Sequence, residues 1–334
     1  MGLTAAQRQL VIDRSGKVLA ALVLMWLAAA ALQDPATFIT QTTIGMTNGA
    51  LIALIALGYT MVYGIIELIN FAHADVFMFG SMVAMQVIVM SGVGPDSSIL
   101  ARITIIIVAL VLCMALCAAI NVAIERIAYR PLRNAPPLAP LITAIGMSFI
   151  VSNLAQKIWG PSQINVPDLL GDAHILGPLR MKDIFVIGVT IPLLIGLTHF
   201  VNNTRQGKAM RATAQDTTAA AIMGINVNRT IGLTFLLGGL LAGASGVMYA
   251  LVNTTTVWNA GFKNGMFAFT AAVLGGIGNL TGAVLGGLLL GLISAYSAQY
   301  VGDRWTDIVI FSILVIVLIV RPTGLLGEQE VSRA

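Results

Sequence analysis

Charge is what this sequence has least of. Lys and Arg number 18 and Asp and Glu 14 in 334 residues, 10% in all, where soluble domains carry roughly 25%. A water-facing surface cannot be made from so few. The 57% hydrophobic content and the mean hydropathy of +0.91 therefore have to be solvated by lipid, in a polytopic membrane protein. Cysteine is scarce as well: Cys113 and Cys117 alone exclude a disulfide framework or a cysteine-based metal cluster. Four apart in one apolar run, they share a helical face, as small packing residues or as a redox pair. No GxxxxGK[ST] occurs, since SGKV and QGKA lack the upstream glycine and the hydroxyl residue of a phosphate-cradling loop. Any ATP has to be hydrolysed on another chain.

The charge that is present is basic, with a net +4 and a pI near 9.3. It lies between apolar runs rather than in one stripe, which argues against nucleic acid as a partner and for membrane topology as the cause. Apolar runs fall near 18–33, 42–68, 74–91, 101–124, 138–158, 183–200, 230–252, 266–278, 281–300 and 305–320. A helical span needs about 20 such residues, so the expected fold is all-α, with about ten transmembrane segments in a single domain, 1–334. The first run either crosses or is a signal peptide, because Arg8, Arg14 and Lys17 precede it and Ala28, Ala29 and Ala30 end it. If the N-terminus is inside and all ten runs cross, twelve basic residues fall on the cytoplasmic side and six on the other. That satisfies the positive-inside rule and puts both termini in the cytoplasm. The run at 266–278 is short enough for a re-entrant half-helix.

Two connections are long. The external one, 159–182, carries Pro161, Pro167, Gly171, Gly177 and Pro178, which is loop chemistry. The internal one, 201–229, is rich in alanine and predicts a short cytoplasmic helix within 207–224, stopped by Gly224.

The stretch GYTMVYGIIELINFAHADVFMFG, 58–80, holds Glu67, Asn70, His73 and Asp75 with no Lys or Arg beside them. A carboxylate at the bilayer centre costs roughly 2.5–3.5 kcal/mol on insertion scales, so Glu67 and Asp75 are expected at an interface or on a wet cavity. Asn70 and Asp75 as helix caps is one reading; a gate or pathway role for all four is the other. Asn48, Tyr59 and Tyr63 are further polar groups within spans, facing either a path or a neighbouring helix. Glycines at 275, 276, 278, 282, 286, 287 and 291 include GxxxG spacing, which permits close helix approach. The alternative is that Gly275, Gly276, Gly278 and Gly282 break a helix and expose backbone dipoles to a solute. An intramembrane hydrolase is disfavoured, since His73 and Asp75, two apart, diverge on a helix and no nucleophile elbow is present. An ion-coupled secondary transporter would need acidic residues deep in the spans, whereas nearly all stand at segment ends.

LINFAHADVFMFG resembles the INFAHGE or INFAHGD signature of permease subunits of high-affinity branched-chain amino acid ABC importers, of the H type, and ALIALGYTMVYGII precedes it as in that family. ERIAYRPLRNAPPLAPLITAIGMS (125–148), RATAQDTTAAAIMGINVNRTIGLTF (211–235), FAFTAAVLGGIGNLTGAVLGGLLLG (267–291) and RPTGLLG (321–327) agree with it in order. Ala74 stands where the signature has Gly, and Glu67 and Pro137 also depart. The resemblance implies a type II importer-like permease in a bacterial inner membrane. It implies a second homologous permease, two cytoplasmic ATPases holding ATP and Mg, and an extracytoplasmic solute-binding protein as partners. It implies no cofactor, metal or catalytic residue on this chain. It places Arg211, Ala212, Asp216, Ala220 and Gly224 on the coupling helix that seats in the ATPase. Relatives with nearly the same signatures resemble urea and short-amide permeases, which is the alternative substrate class.

Overall fold

The computed structural model describes Met25, residues 31–321 and 323–327, apart from Asn134, Pro137, Asp172 and Pro178. The expected first run, its flanking Arg8, Arg14 and Lys17, and the departure at Pro137 therefore lie wholly or mostly outside the described residues. What is described is mostly helical: α1 (Pro35–Ile66), α2 (Ala72–Ser91), α3 (Ile99–Ile124), α4 (Leu138–Trp159), α5 (Met181–Asn203), α6 (Arg205–Gln215), α7 (Thr217–Ile222), α8 (Val227–Asn253), α9 (Ala260–Gly275), α10 (Leu280–Ser297) and α11 (Asp303–Val320). A π-turn, Glu125–Tyr129, and a 3-10 turn, Arg130–Leu132, extend α3.

Among the described residues, six helices are long and apolar enough to cross a membrane: α1, α2, α3 with its extension, α4, α5 and α8. The apolar helices α9, α10 and α11 are shorter, at 16, 18 and 18 residues. Burial separates two layers. In their most apolar stretches α1, α2 and α8 are 83%, 67% and 72% buried, whereas α3, α4 and α5 are 28%, 22% and 22%. The first three are hydrophobic all round and form the core; the others turn Leu100, Ile107, Ile142 and Ile195 outward, as lipid-facing helices do.

Helix α1 starts cleanly because the Asp34 side chain accepts from Thr37 N, 3.1 Å away, and Pro35 has its φ preset. It ends at Glu67, which is left-handed at φ 53° and donates its N–H to Tyr63 O at 2.8 Å. A β-carbon costs about 1–2 kcal/mol in that region. Glu67→Gly is expected to raise the thermal midpoint of the purified protein by a few degrees; an unchanged or lower midpoint would contradict this account of the turn.

Close approach of backbones joins the core. A β-carbon at Gly287 of α10 would stand 2.5 Å from Ala53 Cα of α1, and one at Gly243 of α8 2.5 Å from Cys113 O of α3. Cys113 and Cys117 are free and fully buried at that second seam, where Cys117 Sγ donates to Val76 O at 3.4 Å. The broken segment between α9 and α10 is stitched from outside: Leu325 N and Leu326 N donate to Leu274 O and Gly275 O at 2.8 and 3.0 Å.

At the end of the bundle away from α6 and α7, the 160–180 connection is tied down. Strand β1 (Ile164–Asn165) pairs antiparallel with β4 (Thr255–Thr256), and β2 (His174–Leu176) with β3 (Leu179–Arg180). The link from α8 to α9 runs down the side of α2. Thr256 Oγ1 lies 2.7 Å from Ser81 Oγ, and five residues later a β-carbon at Gly261 would be 2.6 Å from Asp75 Oδ1. Helix α9 thus begins beside the first turn of α2.

The expected single helix at 207–224 is corrected to two. Asp216 leaves the helical region at φ −161°, ψ 109°, and its carboxylate accepts from Thr218 N and Ala219 N at 2.8 and 2.9 Å, which starts α7 as a new helix. Gly224, at φ +83°, then closes α7 with Gly224 N to Ala221 O and Ile225 N to Ala220 O, both 3.0 Å, a Schellman arrangement.

Candidate functional site

Of the polar side chains singled out in the sequence, Glu67, the pair Tyr59 and Asp75, and Asn48 line three separate cavities against the core helices. The one nearest α6 and α7, about 740 Å³, is lined by Glu67, Tyr129, Arg133, Asp216 and Asn228. Beside it runs a buried network. Asn70 Nδ2 donates to Asn121 Oδ1 at 3.3 Å, Tyr129 Oη donates to Asn70 Oδ1 at 3.1 Å, and Asn121 Nδ2 donates to Phe235 O at 2.6 Å. Glu125, 2% exposed, pairs with Arg133, which also donates to Asn228 of α8. Burial pulls the Arg133 pKa below the ordinary guanidinium value, and the Glu125 charge opposes that shift.

The second cavity, about 540 Å³, is lined by Tyr59, Asp75, Ser148, Trp258 and Asn259 together with an apolar wall that includes Phe149, Phe262 and Phe269. Asp75 is 4% exposed; Ser148 Oγ donates to its Oδ2. No Lys, Arg or His among the described residues forms an ion pair with it. The third cavity, about 340 Å³, holds Asn48, Asn253, Asn264 and the Lys263–Asp307 pair at 3.1 Å.

The capping reading is corrected for Asn70, while Asp75 does stand in the first turn of α2, where negative charge is favoured. The residue before α2 is Phe71, with no side-chain cap; Asn70 reaches across to α3 and its extension, and Asp75 to α4. His73 is fully buried, seated in the notch left by Gly58 and edge-on to Tyr59 with ring centroids 5.2 Å apart. Tyr63 is half-buried, and its carbonyl holds the Glu67 turn. Glu67 is exposed to the first cavity.

Of the coupling residues, Arg211 donates to Val201 O and anchors α6 to α5, and Ala220 is buried. Ala212 is half-buried, and Asp216 and Gly224 are exposed. Ile222 and Met223, both 80% exposed, form the apolar tip. Gly275 and Gly282 lie backbone to backbone, Gly276 faces the 323–327 segment, and Gly278 is in open space at φ +93°. No group of three or more His, Cys, Asp or Glu among the described residues is arranged to hold a metal ion.

The family model described as the permease component of a branched-chain amino acid transport system matches residues 41–318. The chain belongs to that family. BraD of Pseudomonas aeruginosa, named a high-affinity branched-chain amino acid transport system permease protein, is 41% identical over 308 residues, covering 89% of this chain and 98% of its own. The LivH proteins of Salmonella typhimurium and Escherichia coli K12, which carry the same description, are 41% and 40% identical, again over 89% of this chain and 97% of theirs.

Several residues of the buried network and of the second cavity escaped the sequence reading. Asn121 was legible in principle, as a lone amide inside a long apolar run. Ser148, Phe149, Trp258 and Phe262 carried no local signal, because they matter only through what α2 presents to them.

Proposed function

We propose that this chain is the membrane permease subunit of an ATP-driven importer for branched-chain amino acids. The observation that carries the reading is identity of 40–41% to permeases of that description over nearly their full length. A second, homologous permease completes the core in a type II arrangement. Two ATPases supply ATP and Mg chemistry from the cytoplasm, and a solute-binding protein delivers the amino acid from outside. In this reading about ten segments cross the bacterial inner membrane with both termini cytoplasmic. The tip of α7, with Ile222 and Met223 exposed, enters a groove of the ATPase. ATP binding draws the ATPases together, α6 and α7 move with them, and the pathway between the two permeases switches sides.

The apolar wall of the 540 Å³ cavity supports a hydrophobic solute over urea or a short amide, whose transfer needs polar contacts on every side. ATP-dependent uptake in proteoliposomes, with this chain and its partner subunits, tests the assignment. Leucine is expected to accumulate and urea is not. Accumulation of urea instead would overturn the substrate; accumulation without the ATPases would overturn the mechanism and favour an ion-coupled transporter.

A further inference from the structure

We infer that a fourth cavity, the groove between the ends of α3, α5 and α8, is a site for an anionic phospholipid, with the phosphate held by Arg126, Arg130 and Arg229 and an acyl chain laid along α8. The inference goes beyond the importer reading and takes from it only the side of the membrane, which is the cytoplasmic one.

Helix length sets the depth of the groove. Helix α3 carries Arg102 near one end and Arg126 just past the other, about 36 Å apart at 1.5 Å per residue. The hydrocarbon core is about 30 Å thick, so two arginines at that spacing bracket it and each stands at headgroup level. Between them Val108, Leu112, Ala115 and Ala119 are exposed at helical spacing, and Arg126 follows on the same face. Ile127 beside it is 73% exposed. The lipid-facing side of α3 therefore runs without interruption into the groove. Helix α5, also mostly exposed, borders the groove with Phe200, and the core helix α8 lines it with Leu233 and Leu236.

The charge of the groove is one-sided. Arg126, Arg130 and Arg229 line one space of about 550 Å³, and all three are exposed. No carboxylate among the described residues forms an ion pair with any of them. The acidic group at the groove, Glu125, is 2% exposed and already paired with Arg133. Arg130 also borders the first cavity, where Glu67 and Asp216 stand, so Arg126 and Arg229 are the two cations given wholly to the groove. Like charges around one small space repel each other, and an anion shared between them removes that cost. Guanidinium groups match phosphate oxygens in geometry as well as in charge. A zwitterionic lipid would bring an ammonium among three cations, whereas a lipid of net negative charge brings none.

The apolar half of the groove separates a lipid from a free phosphate. Val122 and Leu233 are half-buried and Leu236 is 36% exposed. Leu233 and Leu236 follow Arg229 along α8 at spacings of four and seven, one and two turns deeper into the bilayer. A headgroup at Arg229 thus lays its chain against both leucines, and inorganic phosphate would leave that surface bare.

The test is photolabelling of the complete importer in vesicles. Phosphatidylglycerol with a diazirine in one acyl chain, near the ester, is mixed into phosphatidylcholine, and the labelled peptides are mapped by mass spectrometry. Label is expected on 119–126 and 229–240, competed by unlabelled phosphatidylglycerol but not by phosphatidylcholine or by glycerol 1-phosphate, which has the phosphate without the chains. Arg126→Gln with Arg229→Gln is expected to lower that label at least about tenfold, and Arg126→Lys with Arg229→Lys to keep it within about threefold of the original. Lys157→Gln, at the opposite end of the bundle, is expected to leave it unchanged. Size-exclusion chromatography of the assembled importer verifies each variant, and the competition pattern of the unaltered protein decides the matter even if the doubly substituted one does not assemble. Label spread evenly over lipid-facing segments, equal labelling by a phosphatidylcholine probe, displacement by glycerol 1-phosphate, or equal labelling of the glutamine variant would overturn the inference. A benzoylphenylalanine placed at Leu236 that crosslinks to an ATPase subunit instead of to lipid would assign the groove to that subunit and overturn it too.

Discussion

Gly287→Val is expected to abolish accumulation of the folded permease. Helix α10 lies on α1 with backbone touching backbone: a β-carbon at Gly287 would be 2.5 Å from Ala53 Cα and 2.7 Å from both its Cβ and its N. None of these is the free end of a flexible side chain, so nothing can swing aside, and the helices must separate. The same seam is occupied one turn away by Gly291 against Gly45 and Gly49, and by Gly49 against Leu288 Cα at 2.8 Å. Separation at one point therefore opens the others, and dispersion contacts along the central helix are lost together. Overpacking inside a well-filled core costs about 1–3 kcal/mol where side chains can adjust; with backbone on both sides the cost exceeds that range. Fluorescence-detected size-exclusion chromatography of a tagged chain reads the result. A monodisperse peak at normal yield would show that the seam is looser than described.

Arg133→Ala is the second large effect. Glu125 sits in the π-turn that extends α3, 2% exposed, and its charge is answered by Arg133, itself 21% exposed. Deleting the cation leaves a buried carboxylate alone, which costs about 3–5 kcal/mol in comparable buried pairs, with the lower end apt here because Arg133 is partly in water. Through the usual relation between free energy and midpoint, the thermal transition should fall by roughly 5–15 °C. Replacing both partners, as Glu125→Gln with Arg133→Gln, should recover more than half of the loss, since no unpaired charge then remains. Equal midpoints for Arg133→Ala and the unaltered protein would show that Glu125 is solvated in some other way.

Both effects depend on contacts between segments far apart in sequence, and that is where the sequence was hardest to read. Hydropathy placed α2 to α5 and α8 within three residues at each end but began α1 seven residues late, at 42 rather than 35, because lipid and core select the same residue types over 20 or more positions while the first turns of α1 are polar. The glycine spacing of α10 was legible as a packing signal, but not that α1 and α9 are its partners. Local polar chemistry was legible in part. Asp75 is legible as a carboxylate at a helix N-terminus, and it does lie in the first turn of α2, but Ser148, 73 residues away, gives no hint that it is the partner. Asp216 shows the reverse case: it was placed on one continuous helix, and its own side chain, by capping α7, divides that helix in two. The cavity beside Asp75 is built from α1, α2, α4, α9 and the α8–α9 link, and no window of sequence contains it.

The stitch between 323–327 and the end of α9 bears on how the chain is assembled. Synthesis delivers α9 and α10 together, while the donors for Leu274 O and Gly275 O arrive on Leu325 and Leu326, and Asn279 waits for a carbonyl 47 residues further on. Unsatisfied carbonyls cost several kcal/mol each in hydrocarbon, so until those donors arrive the hairpin tip has to be satisfied by water. It is roofed over only after α11 is in place. Pairing of α9 with α10 and closure of their tip thus draw on segments made at different times, in the order set by the direction of translation.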